Sequence, residues 1–433
     1  MNNLNFLVDV LKESPVFKTL EKNVKPGRTV CASGLSTINK SNIIYALCRL
    51  KGVTAFCLAS DEKEAQTLCN DLSCMGLRAY VYPVRDFNFL DFQSRSHEYE
   101  HARLKVLLKL LNHECDVAIA CVDAAAQLTV PRNVLEQSVI EFEEGKELSL
   151  EKATKALTLL GYERFDAVEG SGQFSLRGGI LDFFMPDSDY PVRCEFWGDE
   201  ITDLSYFDIE TQRRFKKADK ITLSPSTEIV IEDRAALADK IEHKAKLLRS
   251  KNSAKAKEKL FSEAELIRSG AMIANADKFI NQIYDKPESL FDYLDRNTLV
   301  FASEFTAIQE RGKSMDFISN ETLMQGFEDG TLCRGFDRFA LTFNECTEFL
   351  QSHGTIVLEN FVHGSMPIKL SEIISFSTKQ ISAWGGSYKQ LKEDVDGLFT
   401  PESKGVIFAG TERAAKNLCD TCLLYTSPSP RDS

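Results

Sequence analysis

Short apolar runs recur through the first 125 residues, each followed by a longer stretch with helical spacing. The runs are "GRTVCAS", "VTAFCLAS", "RAYVYP" and "DVAIACVDA". They do not alternate polar with apolar positions, the pattern of strands covered on both faces. Between them lie "NKSNIIYALCRLKG", which ends at Gly52, the charged and periodic stretch from Asp61 to Met75, and "EYEHARLKVLLKLLN". Buried strands alternating with helices predict an α/β fold, a parallel, RecA-like sheet.

From residue 139 the texture changes. "LSLEKATKALTLLGYERFD" has the apolar stripe of one helix, and a strand-rich stretch punctuated by Gly, Pro and Asp follows it to about 225. In "QFSLR", Phe174 and Leu176 share one face while Arg177 takes the other. In "VRCEFW", Val192, Cys194 and Phe196 share a face, and Arg193, Glu195 and Trp197 share the opposite one. Trp and Arg projecting together are residues enriched in binding hot spots. The same pattern also fits a second layer burying Trp197, with Arg193 capping it. Residues 226–290 are helical and charged, a solvated face. "NTLVFASEF" and "GTIVLENF" are buried strands again, so the first domain is expected to resume after an insertion.

Composition narrows the class. The 433 residues are 43% hydrophobic and 27% charged, material for several packed domains. A net charge of −12 argues against a broad cationic nucleic-acid surface. No apolar run reaches the ~18 residues of a membrane span, and the N-terminus lacks a signal-peptide pattern, so the chain reads as cytoplasmic. The twelve cysteines fall mostly inside apolar runs, as reduced, buried thiols do. The one C-x-x-C, Cys419 to Cys422, lacks a second pair for zinc. The end, "CLLYTSPSPRDS", turns abruptly to Ser and Pro. Codons for Cys422 to Asp432 can spell the end of a transposase-type sequencing adapter, so residues 422–433 are expected to be non-native and the chain a piece of something longer.

Two motifs carry candidate chemistry. "GLSTINKS" sets Gly34, Lys40 and Ser41 at the spacing of a phosphate-binding P-loop, but Asn39 stands where the second glycine belongs. A side chain there intrudes on the close approach of backbone N–H groups to phosphate. The strand "TLVFASEF" places Ser303 and Glu304 where a Walker-B acid pair would hold Mg²⁺. With two such departures the loop reads as a degenerate nucleotide site. "HEYEH" formally matches H-E-x-x-H, with His97 and His101 as zinc ligands and Glu98 as base. Glu100 adds a charge, and Leu104 and Leu107 occupy the places of the extended form's Gly and third His, so a solvated first helical turn is expected instead.

"GQFSLRGGILDFFMPDSDYPVRCEFWGDEITDLSYFDIETQRR" resembles the N-terminal module of the bacterial transcription-repair coupling factors, the Mfd family, which is itself similar to UvrB. "SGLSTINKS", "VYPVRDFNFLDFQSRSHEYEHARLKVLLKL" and "SLFDYLDRNTLVFASEF" extend the likeness over roughly residues 10–421. The resemblance implies that residues 1–138 and 226–367 form two segments of one RecA-like domain. Residues 139–225 would be an inserted UvrA-binding domain, and 368–421 would open a further α/β domain. It implies UvrA contact through Arg177, Arg193 and Trp197, where the family often has Phe at the last. It also implies no catalytic residue, metal or cofactor in this stretch. ATP and Mg²⁺ would serve motor domains elsewhere in the parent, which engage double-stranded DNA and RNA polymerase.

Overall fold

The computed structural model describes residues 5–85, 97–249, 253–270, 276–361, 366–378, 387–398, 407 and 411–426. Its strands, in chain order, are β1 (Val30–Ser33), β2 (Ala55–Ala59), β3 (Ala79–Val81), β4 (Val117–Cys121) and β5 (Ile140–Glu143). Next come β6 (Glu163–Arg164), β7 (Gln173–Arg177), β8 (Ile180–Phe183), β9 (Val192–Trp197) and β10 (Glu200–Phe207). The last are β11 (Arg214–Lys217), β12 (Lys220–Leu223), β13 (Leu299–Ser303), β14 (Thr355–Glu359) and β15 (Glu372–Ser375).

Seven of these form one sheet in the order β15-β1-β14-β13-β2-β4-β3, with every described pairing parallel. Strands before and after the insertion thus interleave in a single α/β layer. The apolar runs explain it: Phe56 and Leu58 face one core while Ala55, Cys57 and Ala59 face the other, so both sides of each strand leave water. Each such Phe or Leu contributes about 1.5–3 kcal/mol. Residues 368–421 are where a further domain was expected to open, yet β15 lies there and pairs with β1. The first sheet therefore extends past residue 368. The helix Glu412–Thr426 runs through Cys422 without a break, and residues 427–433 of the expected non-native tail lie outside the described residues.

The second sheet has the order β11-β10-β9-β8-β7-β6, antiparallel except for β6 with β7. One face packs on the helix Leu150–Leu159 and on the two-stranded sheet of β5 with β12. Leu157, Phe183, Cys194 and Leu204 are fully buried there, and the Phe142 and Phe183 rings lie 5.0 Å apart. The β7–β8 connection is the pair Gly178-Gly179. A Cβ at Gly179 would lie 2.7 Å from the Phe196 carbonyl oxygen, so this turn tolerates only glycine and brings Arg177 beside β9's neighbour strand.

A buried polar junction ties this domain to the parallel sheet. Arg103, fully buried, donates to both carboxylate oxygens of Glu228 (2.7 and 3.2 Å) and to Gln127 (2.8 Å), with the Tyr82 ring 4.2 Å from its guanidinium. Thr129 also donates to Glu228 at 2.6 Å. Glu228 follows directly on the second domain, so the junction fixes how that domain leaves the first. Beyond it, the helices Arg234–Leu247 and Ser253–Arg268 pack against each other around Phe279 and Phe336.

Candidate functional site: an open sheet face and a closed nucleotide loop

The alternation read from "VRCEFW" holds in β9: Val192, Cys194 and Phe196 are buried, and the intervening residues point to the other face. On that face Ser175, Asp182 and Ser205 are buried around Arg193, but Trp197 at the strand's end is 82% exposed. Such exposure of a large aromatic on a regular strand leaves its apolar area in water without compensation.

The charges around Trp197 are organised by a residue that sequence reasoning missed. Register places Ser175, Asp182 and Arg193 side by side on β7, β8 and β9. Asp182 is buried and accepts from Arg193 through both oxygens, Nε to Oδ1 at 2.7 Å and Nη2 to Oδ2 at 2.8 Å. Arg177 donates Nη2 to the same Oδ2 at 2.8 Å. Arg193 also donates to the backbone oxygen of Gln212 (3.3 Å) and to its Oε1 (3.1 Å), and its guanidinium lies 4.4 Å from the Phe207 ring centre. The hydrogen bond to Asp182 raises Arg193 above the ordinary arginine pKa. Toward Trp197, Arg214 pairs with Glu195 and with Asp203 (2.9 Å), and the exposed Glu200 stands opposite Trp197 in register. An Asp within "GGILDFF" carries no signal of this role, because its partners come from register and not from spacing.

The P-loop stretch is closed by its own side chains. The helix begins at Thr37, earlier than the Asn39 start read from the sequence, so the residues that would wrap a phosphate are wound into its first turn. Asn39 donates to Ser36 Oγ at 2.9 Å. Gly34 keeps its left-handed backbone (φ 79°), but the Phe376 carbonyl occupies the space a Cβ would need. Lys40 is 3% exposed, and its Nζ donates to Glu304 Oε1 (2.5 Å), Ser303 Oγ (3.0 Å) and Glu64 Oε1 (3.4 Å). Ser41 donates to Asp71 Oδ2 at 3.0 Å, so the hydroxyl that would bind Mg²⁺ is engaged as well. Ser303 in turn donates to Glu64 Oε1 at 2.6 Å. Beside them Glu359 is fully buried and accepts from the Phe305 N–H at 2.8 Å. Burial, the neighbouring Glu304 and only partial relief from that N–H push its carboxyl up to about 7.

Residues 140–229 match the model of the UvrB interaction domain. The chain is 26% identical over 416 residues to the transcription-repair-coupling factor of Bacillus subtilis strain 168, covering 93% of this chain and 35% of that protein. With the transcription-repair-coupling factor of Staphylococcus epidermidis strain ATCC 35984 the identity is 24% over 359 residues, covering 78% and 29%. With that of Staphylococcus aureus strain MRSA252 it is 21% over 426 residues, covering 96% and 36%. Over most of its length the chain is similar to the transcription-repair-coupling factors. It spans about a third of the length of the curated relatives it matches.

The H-E-x-x-H stretch is tied into the buried junction rather than left in solvent. His97 Nδ1 lies 2.9 Å from Glu100 Oε2, and the two histidine rings stack at 5.9 Å. Glu100, expected to be solvated, is buried and accepts from Thr227 Oγ1 and the Glu228 N–H, both at 2.8 Å. Burial alone would raise its pKa; His97, Arg85 and the Glu228 N–H outweigh that and hold it well below the usual carboxylate range. Burial lowers His101. Among the described residues no three His, Cys, Asp or Glu side chains converge as a metal site. Nor is any described helix long and apolar enough to cross a membrane. Burial pushes the Cys31, Cys48, Cys115, Cys194 and Cys346 thiols up to about 12, as expected of packing residues. Of the C-x-x-C pair, Cys419 is exposed, and the Cys422 side chain lies outside the described residues.

Proposed function

We propose that this chain is the recruiting arm of a transcription-repair-coupling factor and that its second domain docks UvrA through Trp197, Arg177 and Arg193. The exposure of Trp197 at the end of β9 supports this most directly. An exposed indole on the strand that carries Arg193, with Arg177 two strands away and the acids Asp182 and Glu195 paired, presents an apolar anchor together with arginine donors on one sheet face. Truncating such an anchor costs about 2 kcal/mol or more. Calorimetric titration of the chain into UvrA tests the reading: binding that is lost or sharply weakened in Trp197→Ala supports it, and equal affinity of the two proteins refutes it.

The RecA-like domain serves in this reading as a scaffold that binds neither ATP nor Mg²⁺. Lys40 and Ser41, the groups that would meet phosphate and metal, spend their donors on Glu64, Ser303, Glu304 and Asp71. Nucleotide would have to break a buried ion pair before it could bind. ATP-driven translocation on double-stranded DNA and release of stalled RNA polymerase are assigned to parts of a full-length coupling factor outside the aligned third. A thermal-shift series with Mg-ATP checks the scaffold role: no change in Tm is expected, and a saturable rise that Lys40→Met abolishes would overturn it.

A further inference from the structure

The two arginines on this face are not equivalent. An arginine carries five N–H donors. Arg193 uses four of them, two on Asp182 and two on Gln212. One face of its guanidinium lies against Phe207, and its side chain is only 13% exposed. Arg177 makes one bond, through Nη2 to Asp182, and its side chain is 51% exposed. Four of its donors therefore face solvent, enough for a paired bond to a carboxylate.

We infer that Asp182 is the positioning residue of this surface, locking Arg193 into the sheet as a strut and aiming Arg177 as the arginine that pairs with an acidic group on UvrA. This rests on the docking role proposed above. Asp182 is suited to the task because it is buried, holds Arg193 down in the sheet and leaves Arg177 reaching outward. Removing its charge leaves Arg177 without the bond that fixes its rotamer, and a long side chain pays the cost of ordering at the moment of binding. Arg193, grasped at both ends, neutralises Asp182 and keeps that buried carboxylate from being left unpaired.

The test is a double-mutant cycle with the full chain titrated into UvrA, folding being checked for each variant by far-UV circular dichroism and Tm. Asp182→Asn keeps the shape and removes the charge. It is expected to weaken binding by about tenfold, like Arg177→Ala, the scale of one lost charge-assisted hydrogen bond. The double variant is expected to be no weaker than Arg177→Ala alone, because Asp182 acts through Arg177. A merely structural Asp182 would give losses that multiply, and that result overturns the assignment, as does unchanged affinity in Asp182→Asn. Should Asp182→Asn not fold, the lysine pair decides instead: Arg177→Lys should cost at least threefold more affinity than Arg193→Lys, and equal or reversed losses overturn the assignment. Trp197→Ala is run alongside. If it too leaves binding intact, the docking reading itself has failed; if it abolishes binding while the Asp182 cycle shows no coupling, only the division of roles has failed.

Discussion

Replacing Lys40 separates a nucleotide site from a structural ion cluster. In a working P-loop the lysine serves the ligand, and removing it costs affinity for phosphate far more than stability. Here its ammonium is buried among Glu64, Glu304 and Ser303, with Glu359 close behind. Lys40→Met keeps the length and apolar stem but leaves Glu64 and Glu304 facing one another. Breaking a buried pair by removing one partner costs about 3–5 kcal/mol. Glu304 is 27% exposed and Glu64 14%, so water relieves part of the cost and the lower end, about 3 kcal/mol, applies. With a urea slope of about 2 kcal/mol/M, the midpoint falls by roughly 1.5 M. The assay is urea unfolding followed by far-UV circular dichroism, with and without Mg-ATP. A midpoint within about 0.3 M of the parent's, combined with stabilisation of the parent by Mg-ATP, would show that Lys40 serves a nucleotide and not the ion cluster.

Three further perturbations follow from the same geometry. Glu359 has a folded pKa of about 7 against an ordinary 4.5, so the native state holds a proton that the unfolded chain has lost. Its contribution is intact below about 4.5 and declines as pH rises toward about 7; Glu359→Gln should flatten that decline and raise stability at pH 8, and a variant with the parent's profile would contradict this. At the junction, Arg103→Met removes both guanidinium bonds of the buried Glu228, leaving it Thr129 and Arg85 at 3.6 Å, and should cost about 3–5 kcal/mol, read as a lowered unfolding midpoint; a loss under about 1 kcal/mol would show that Thr129 and Arg85 suffice for that carboxylate. Elemental analysis of the purified chain should find no stoichiometric zinc, and one zinc per chain lost in His97→Ala would restore the metal reading of "HEYEH".

What was legible in the sequence was what burial writes directly. Strands β2, β4, β13 and β14 are unbroken apolar runs because both their faces are covered, and the period-2 pattern of β9 foretold which side Trp197 takes. β15 was hidden because a four-residue edge strand pairs on one side only and leaves Ile373 half exposed, which blurs the pattern. Asp182 and Glu100 were hidden for a different reason. Each is an acid that sequence places at a turn or on a wet helix face, and each is buried because a donor from another element meets it: Arg193 on the adjacent strand, and the Glu228 N–H from the far side of the inserted domain. The collapse of the P-loop lay between these cases. Asn39 and Ser303 marked the defect, but the closing bonds join Lys40 to residues 24 and 264 positions away.

The central claim, that this chain works as a docking surface for UvrA built around Trp197, meets its most direct test in one calorimetric comparison. The parent chain and Trp197→Ala are each titrated into UvrA, with matched unfolding curves showing that both are folded. Saturable binding by the parent and a loss of about thirtyfold or more in the variant are expected. Equal affinities, or a folded parent that does not bind UvrA, would contradict the docking claim.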